Sequence, residues 1–125
     1  MNEQPEHWEG VTIENGRVVE LDLDEFGLTG AVPAEIGQLT SLKALKLGYN
    51  ELTLLPAEIG QLTSLRWLEL HYNQLTSVPA EIGQLTSLTH LNLDHNQLTS
   101  VPAEICELRA AGCHVQMDDG VTVDE

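Results

Sequence analysis

Apolar residues recur along this chain on one repeating beat. From Leu39 to Glu107 the pattern runs L-x-x-L-x-L-x-x-N-x-L and ends on an apolar residue and a proline, then starts again after 23 residues. The three copies read LTSLKALKLGYNELTLLPAEIGQ, LTSLRWLELHYNQLTSVPAEIGQ and LTSLTHLNLDHNQLTSVPAEICE, with seven changes at each step. Alternation at Leu45-x-Leu47 predicts a short strand, with Leu42, Leu45, Leu47 and their copies pointing inward. Leu52, Leu55 and Ile59 fill the opposite side of the core. Pro56-Ala57-Glu58 suits the first turn of a short helix, where proline loses no needed donor and Glu58 meets the positive helix end. A unit this small cannot bury its own apolar face, so the copies must stack. The chain is therefore expected to be an α/β solenoid. A parallel sheet of about five strands lines the concave side of a short right-handed superhelix, and short helices or turns line the convex side.

The flanks depart from the beat. Residues 1–7 read as a flexible arm, because their polar composition offers nothing to pack. Residues 8–38 read as an N-terminal cap and a divergent first repeat. Within them WEGVTIENGRVVELDL predicts two strands around the turn Glu14–Asn15–Gly16. Leu21-x-Leu23 falls where Leu45-x-Leu47 falls, and Phe26 takes the place of Asn50. This first unit has 24 residues. Residues 39–107 hold the three repeats, and residues 108–125 a C-terminal cap and acidic tail. Cys113 and Val115 there stand in for the two inward leucines of a last strand, and DDGVTVDE reads as mobile.

The repeat pattern resembles leucine-rich repeat proteins. Trp8-x-Gly10-Val11-Thr12, Gly16-Arg17-Val18, Leu21-Asp22-Leu23 and Leu28-Thr29-Gly30-Ala31-Val32-Pro33 are similar to the cap and first repeat of the plant type. LTSVPAEIGQLTSL in the later units looks more like intracellular Ras-group members. The resemblance implies the solenoid fold, in a superfamily that binds many unrelated things, and it implies that Asn50, Asn73 and Asn96 form a structural asparagine ladder. Their side-chain amides also suit the unpaired backbone groups of a strand-to-loop corner. The plant-type cap usually carries paired cysteines, and none stands between Trp8 and Val19.

What varies between copies lies at the outward strand positions. Equivalent residues on parallel neighbours stand about 4.8 Å apart, so four rows are expected. They are Glu20, Ala44, Trp67, His90; Asp22, Lys46, Glu69, Asn92; Asp24, Gly48, His71, Asp94; and Glu25, Tyr49, Tyr72, His95. His114 is expected to extend the second row. Leucines already occupy the inward slots, so core demands do not explain Trp67, Tyr49 and Tyr72 here. Exposed Trp and Tyr are the residues of interface centres. The candidate partner-binding residues are Tyr49, Lys46, Trp67, Glu69, His71, Tyr72, His90, Asn92, Asp94 and His95. The alternative is a structural or consensus-designed scaffold without a partner of its own, which the close likeness of the repeats would suit. Lys46 is expected to relieve repulsion between Asp22 and Glu69.

Charge and chemistry narrow the partner. Twenty acids against five bases give a formal charge of −15. Such a chain repels nucleic acid and anionic membranes, and is compatible with another protein as partner, basic or neutral. A monomer is expected. His71, Asp94, His95, His90 and His114 lie near one another, but splayed ladder positions do not make a metal site. No cofactor is expected, and no nucleophile-elbow, P-loop or zinc-protease motif is present, so no enzyme is expected. An N-terminus without a basic start or an apolar run does not read as a secretory signal. Two cysteines, Cys106 and Cys113, are few for a small secreted domain, which points to the cytoplasm with secretion left open. Free thiols are favoured there over a disulfide.

Overall fold

Alternating apolar positions become strands and the PAEI segments become single helical turns. The computed structural model describes residues 9–124. The cap hairpin pairs β1 (Val11–Glu14) antiparallel with β2 (Arg17–Asp22). Asn15 and Gly16 make its turn at φ 54° and 77°, the left-handed pair that a tight hairpin needs and that Asn-Gly adopts at low cost. Then follow β3 (Thr29–Ala31), β4 (Ala44–Lys46), β5 (Glu51–Leu54), β6 (Trp67–Glu69), β7 (His90–Asn92) and β8 (Ser100–Val101). The chain closes with α1 (Glu104–Ala110), β9 (His114–Gln116) and β10 (Thr122–Val123). The expected arm at 1–7, and Trp8 of the cap motif, lie outside the described residues.

The main sheet runs β1-β2-β4-β6-β7-β9, with every pairing after the first parallel. Beneath it Leu45, Leu68 and Leu91 line up in register and have at most 1% of their surface exposed. Each such leucine contributes about 2 kcal/mol through burial. The far wall is built by 3-10 turns at Ala34–Gln38, Ala57–Gln61 and Ala80–Gln84, each entered from an extended proline. Glycine is needed inside those turns because they stack closely. A Cβ on Gly60 would stand 2.7 Å from the Glu81 carbonyl oxygen of the next turn. Cys106, in the same position of the last unit, is exposed. Among the described residues no further turn stacks on it, and the last segment takes a side chain there and winds into a true α-helix, α1.

Three features differ from the sequence expectation. His114 pairs with His90, not with Asn92, so it extends the first row instead of the second. Val115 opposes Leu91, and Met117, packed against the core, follows at the next alternating position. The last strand is thus shifted by two residues from the Cys113/Val115 assignment, and buried Cys113 takes a place before it. Next, the acidic tail is held. Its β10 pairs parallel with β8, and Val121 and Val123 pack on the core. Finally, β3 pairs with β5 along the flank of the solenoid, a small second sheet that the repeat pattern did not announce.

Candidate recognition face

The outward positions of the main sheet form rows because the strands pair in register. The first row is Glu20, Ala44, Trp67, His90, His114, and the second is Asp22, Lys46, Glu69, Asn92, Gln116. Trp67 stacks on His90 with ring centroids 3.9 Å apart, and His90 meets His114 edge-on at 6.0 Å. The Trp67 Nε1–H donates to the Glu69 carboxylate, which fixes the indole over its own strand. His90 Nδ1 lies 3.0 Å from the Thr89 hydroxyl.

A second aromatic row stands at the strand-to-loop corner. Tyr49 stacks on Tyr72 at 4.6 Å, and Tyr72 on His95 at 4.1 Å. Tyr49, Tyr72 and His95 all sit in the left-handed region, at φ 55°, 56° and 58°. Trp67, Tyr49 and Tyr72 are exposed. Immediately after this row, Asn50, Asn73 and Asn96 turn inward. Asn73 accepts the Leu52 N–H at 2.9 Å and donates to the carbonyls of Leu47 and Leu70 at 2.8 and 3.1 Å. Asn96 accepts from Leu75 and donates to Leu70 and Leu93.

Between the aromatic rows lies the polar row of Asp24, Gly48, His71 and Asp94. Gly48 has no side chain, and the His71 ring occupies the space a Cβ would need, 2.7 Å from it. His71 packs edge-on against Tyr49 at 5.1 Å, and its Nδ1 is buried without a hydrogen-bond partner among the described residues. Asp24 accepts the Gly48 N–H at 2.6 Å. Burial pushes the Asp24 carboxyl above its ordinary value against the pull of that N–H. Asp22 and Glu69 add to the rise, and His71 opposes it. Asp94 adjoins His71 in this row, its carbonyl taking the Tyr72 N–H at 2.9 Å. The expected role of Lys46 needs correction. Its ammonium pairs with Glu20, 3.5 Å away in the neighbouring row, instead of relieving Asp22 and Glu69. Both cysteines are free thiols, Cys106 exposed and Cys113 buried, and burial pushes the Cys113 thiol up. Among the described residues no three His, Cys, Asp or Glu side chains gather at one point.

The sequence pattern placed the candidate residues in rows but put His114 one row off and missed two members. His114 belongs to the first row, Gln116 ends the second, and the Asp118 carboxylate accepts the His95 N–H at 3.0 Å. Continuing the alternation from Val115 to Met117 is the signal that would have found them.

The family profile described as a leucine-rich repeat region matches residues 20–109. The receptor protein kinase WSS1 of Oryza sativa subsp. japonica is 49% identical over 49 residues, which are 37% of this chain and 5% of the rice protein. The BIR2 ectodomain of Arabidopsis thaliana superposes with a TM-score of 0.75 at 29% identity, covering 82% of this chain and 57% of that one. The BIR3–SERK2 complex of the same plant gives 0.68 at 21% identity, over 96% of this chain and 78% of that one, a likeness of fold alone. The chain thus spans a twentieth of the rice kinase and just over half of the BIR2 ectodomain. Ectodomains lie outside the cell, so these neighbours lend the cytoplasmic expectation no support. Among the described residues no helix is long and apolar enough to cross a membrane.

Proposed function

The chain belongs to the leucine-rich repeat family, and from that premise we propose that it is a non-catalytic module that binds another protein through the outer face of its main sheet. One observation carries the reading. Three of the chain's five Phe, Trp and Tyr residues stand on this face, exposed and stacked into rows, while leucines complete the core without them. Rigid aromatic groups already held in place lose little freedom on binding, which suits them to be the centre of an interface. The charge of −15 favours a basic partner and speeds its approach. The protein acts as a monomer in this reading, and light scattering checks that. The BIR3–SERK2 neighbour, alike in fold alone, is a complex of two proteins by its own description.

The test compares crosslinked partner capture by the wild type, by a Trp67→Ala/Tyr72→Ala double variant and by a Glu81→Ala variant on the opposite wall. Capture lost only in the double variant supports the reading; capture equal in all three sinks it. The scaffold reading keeps one observation in its favour, the close likeness of the three repeats. It expects no saturable partner for any of these proteins.

A further inference from the structure

Resting on that reading, we infer that the face contains a discrete slot for a cationic side chain of the partner, arginine above all, on the free side of Trp67. The first row sets the geometry. Trp67 is covered on one side by His90, 3.9 Å away. Its other side looks along the row to Ala44 and then Glu20, each one strand further on. Ala44 offers a single methyl where the other repeats carry Trp67 and His90. With strands about 4.8 Å apart, Trp67 and Glu20 stand about 10 Å apart across that methyl. The slot has an indole for one wall, a carboxylate for the other and an alanine for its floor. A planar guanidinium about one ring thick fits between them, stacked on the indole and facing the carboxylate.

Two further observations mark the spot as one for a cation. Lys46 belongs to the second row, yet its ammonium leans across to Glu20 at 3.5 Å. The chain's own cation is thus drawn to the carboxylate wall of the slot. Both partners keep about a third of their side-chain surface exposed, so this pair is weak and a better-placed cation displaces it. The corner row repeats the design. Tyr49 is stacked on Tyr72 on one side, and the next residue on its other side is Glu25, held at φ 60°. Both aromatic rows therefore end, towards β2, on an acid. Lysine offers a compact, strongly hydrated charge, whereas arginine stacks and pairs bidentately at once, so the slot discriminates between them.

The test uses fluorescence anisotropy with a labelled Gly/Ser peptide carrying two arginines, and its lysine counterpart, at low salt. The arginine peptide is expected to bind about fivefold more tightly than the lysine peptide, the scale of one stacked cation. Ala44→Leu fills the slot and should weaken the arginine peptide by about fivefold or more, with an unchanged melting temperature showing that the fold survives. Glu20→Gln should act in the same direction. Equal affinity for the two peptides, or no measurable binding of the arginine peptide, overturns the slot. Arginine binding that survives Ala44→Leu but is lost in Trp67→Ala/Tyr72→Ala also overturns it, while sparing the face. Binding unaffected by either change overturns both.

Discussion

Truncating Asn73 to alanine should destabilise the protein more than any change on the outer face, and the hydrogen bonds say by how much. The Asn73 oxygen is the acceptor for the Leu52 N–H, inside a residue only 3% exposed. Removing it leaves that donor orphaned and dry, at about 1–3 kcal/mol. The carbonyls fare better. Leu47 keeps the amide of Asn50, and Leu70 keeps that of Asn96, so each lost bond costs about 1 kcal/mol. The sum is about 3–5 kcal/mol, or about 10–20 °C in Tm for a chain of this size. Asn96 makes the equivalent bonds but is half-buried, so water replaces part of what Asn96→Ala removes, and about 1–2 kcal/mol is expected. Asn73→Asp separates the two roles. It keeps the acceptor for Leu52 and aims a carboxylate at the Leu47 and Leu70 carbonyls, so it should recover stability as pH falls and the carboxyl becomes a donor. Urea denaturation measures the series, and amide exchange at Leu52 should accelerate most in Asn73→Ala. If Asn73→Ala costs under about 1 kcal/mol, or no more than Asn96→Ala, the asparagines are not what satisfies these corners.

Three further outcomes follow from the same geometry. Leu68→Ala should cost about 3 kcal/mol because it empties a fully buried slot. Trp67→Ala should cost about 1 kcal/mol, the scale of one aromatic stack, and thermal melts of the pair decide whether adjacent residues face opposite ways. For Asp24 the folded protein holds the proton more tightly than the unfolded chain. That contribution is full below the ordinary carboxylate value and is lost as pH rises through the raised one. Asp24→Asn, which keeps an acceptor for the Gly48 N–H, should therefore be slightly more stable than wild type at pH 7, by less than about 1 kcal/mol after solvent screening. The gain should vanish towards pH 4, and a wild-type advantage at pH 7 would refute the assignment. A thiol-reactive dye should label Cys106 within minutes and Cys113 only on unfolding, because burial removes both access and thiolate; two equally fast thiols would contradict the burial of Cys113.

The solenoid was legible because its physics is redundant. Leu45, Leu68 and Leu91 announce one inward slot three times, and a wrong register would put all three in water. The rows were legible for the same reason, since residues 23 apart in the repeats had to become neighbours. Redundancy ends where the copies end. RAAGCHVQM offers no leucine to count from, so Cys113 and Val115 could be aligned with the last inward pair as well as Val115 and Met117, and His114 moved one row with that choice. The tail shows another limit. DDGVTVDE is acidic along its length, but Val121 and Val123 alternate, and two apolar side chains with a free strand edge at β8 suffice to dock it. The pairing of Lys46 was illegible in principle, because a flexible side chain chooses among carboxylates at similar range.

The corner row joins fold to face most closely. Glu25, Tyr49, Tyr72 and His95 all adopt φ between 55° and 60°, where a residue with a Cβ carries a penalty of about 1–2 kcal/mol. The conformation itself is imposed by the ladder. Glu25, Tyr49 and Tyr72 donate their N–H groups to the Gly48, His71 and Asp94 carbonyls of the next strand at 2.9–3.0 Å, and His95 donates to Asp118. The inward asparagine follows at once in the three repeats. Glycine would meet the same demand without the penalty. Stacking between the rings returns only about 0.5–1.5 kcal/mol per pair, which does not clearly exceed the strain. The fold alone therefore gives no reason to place two tyrosines and a histidine there. A row that is strained for any side chain, filled by rings that stack and stay exposed, makes sense if those rings meet something outside the chain.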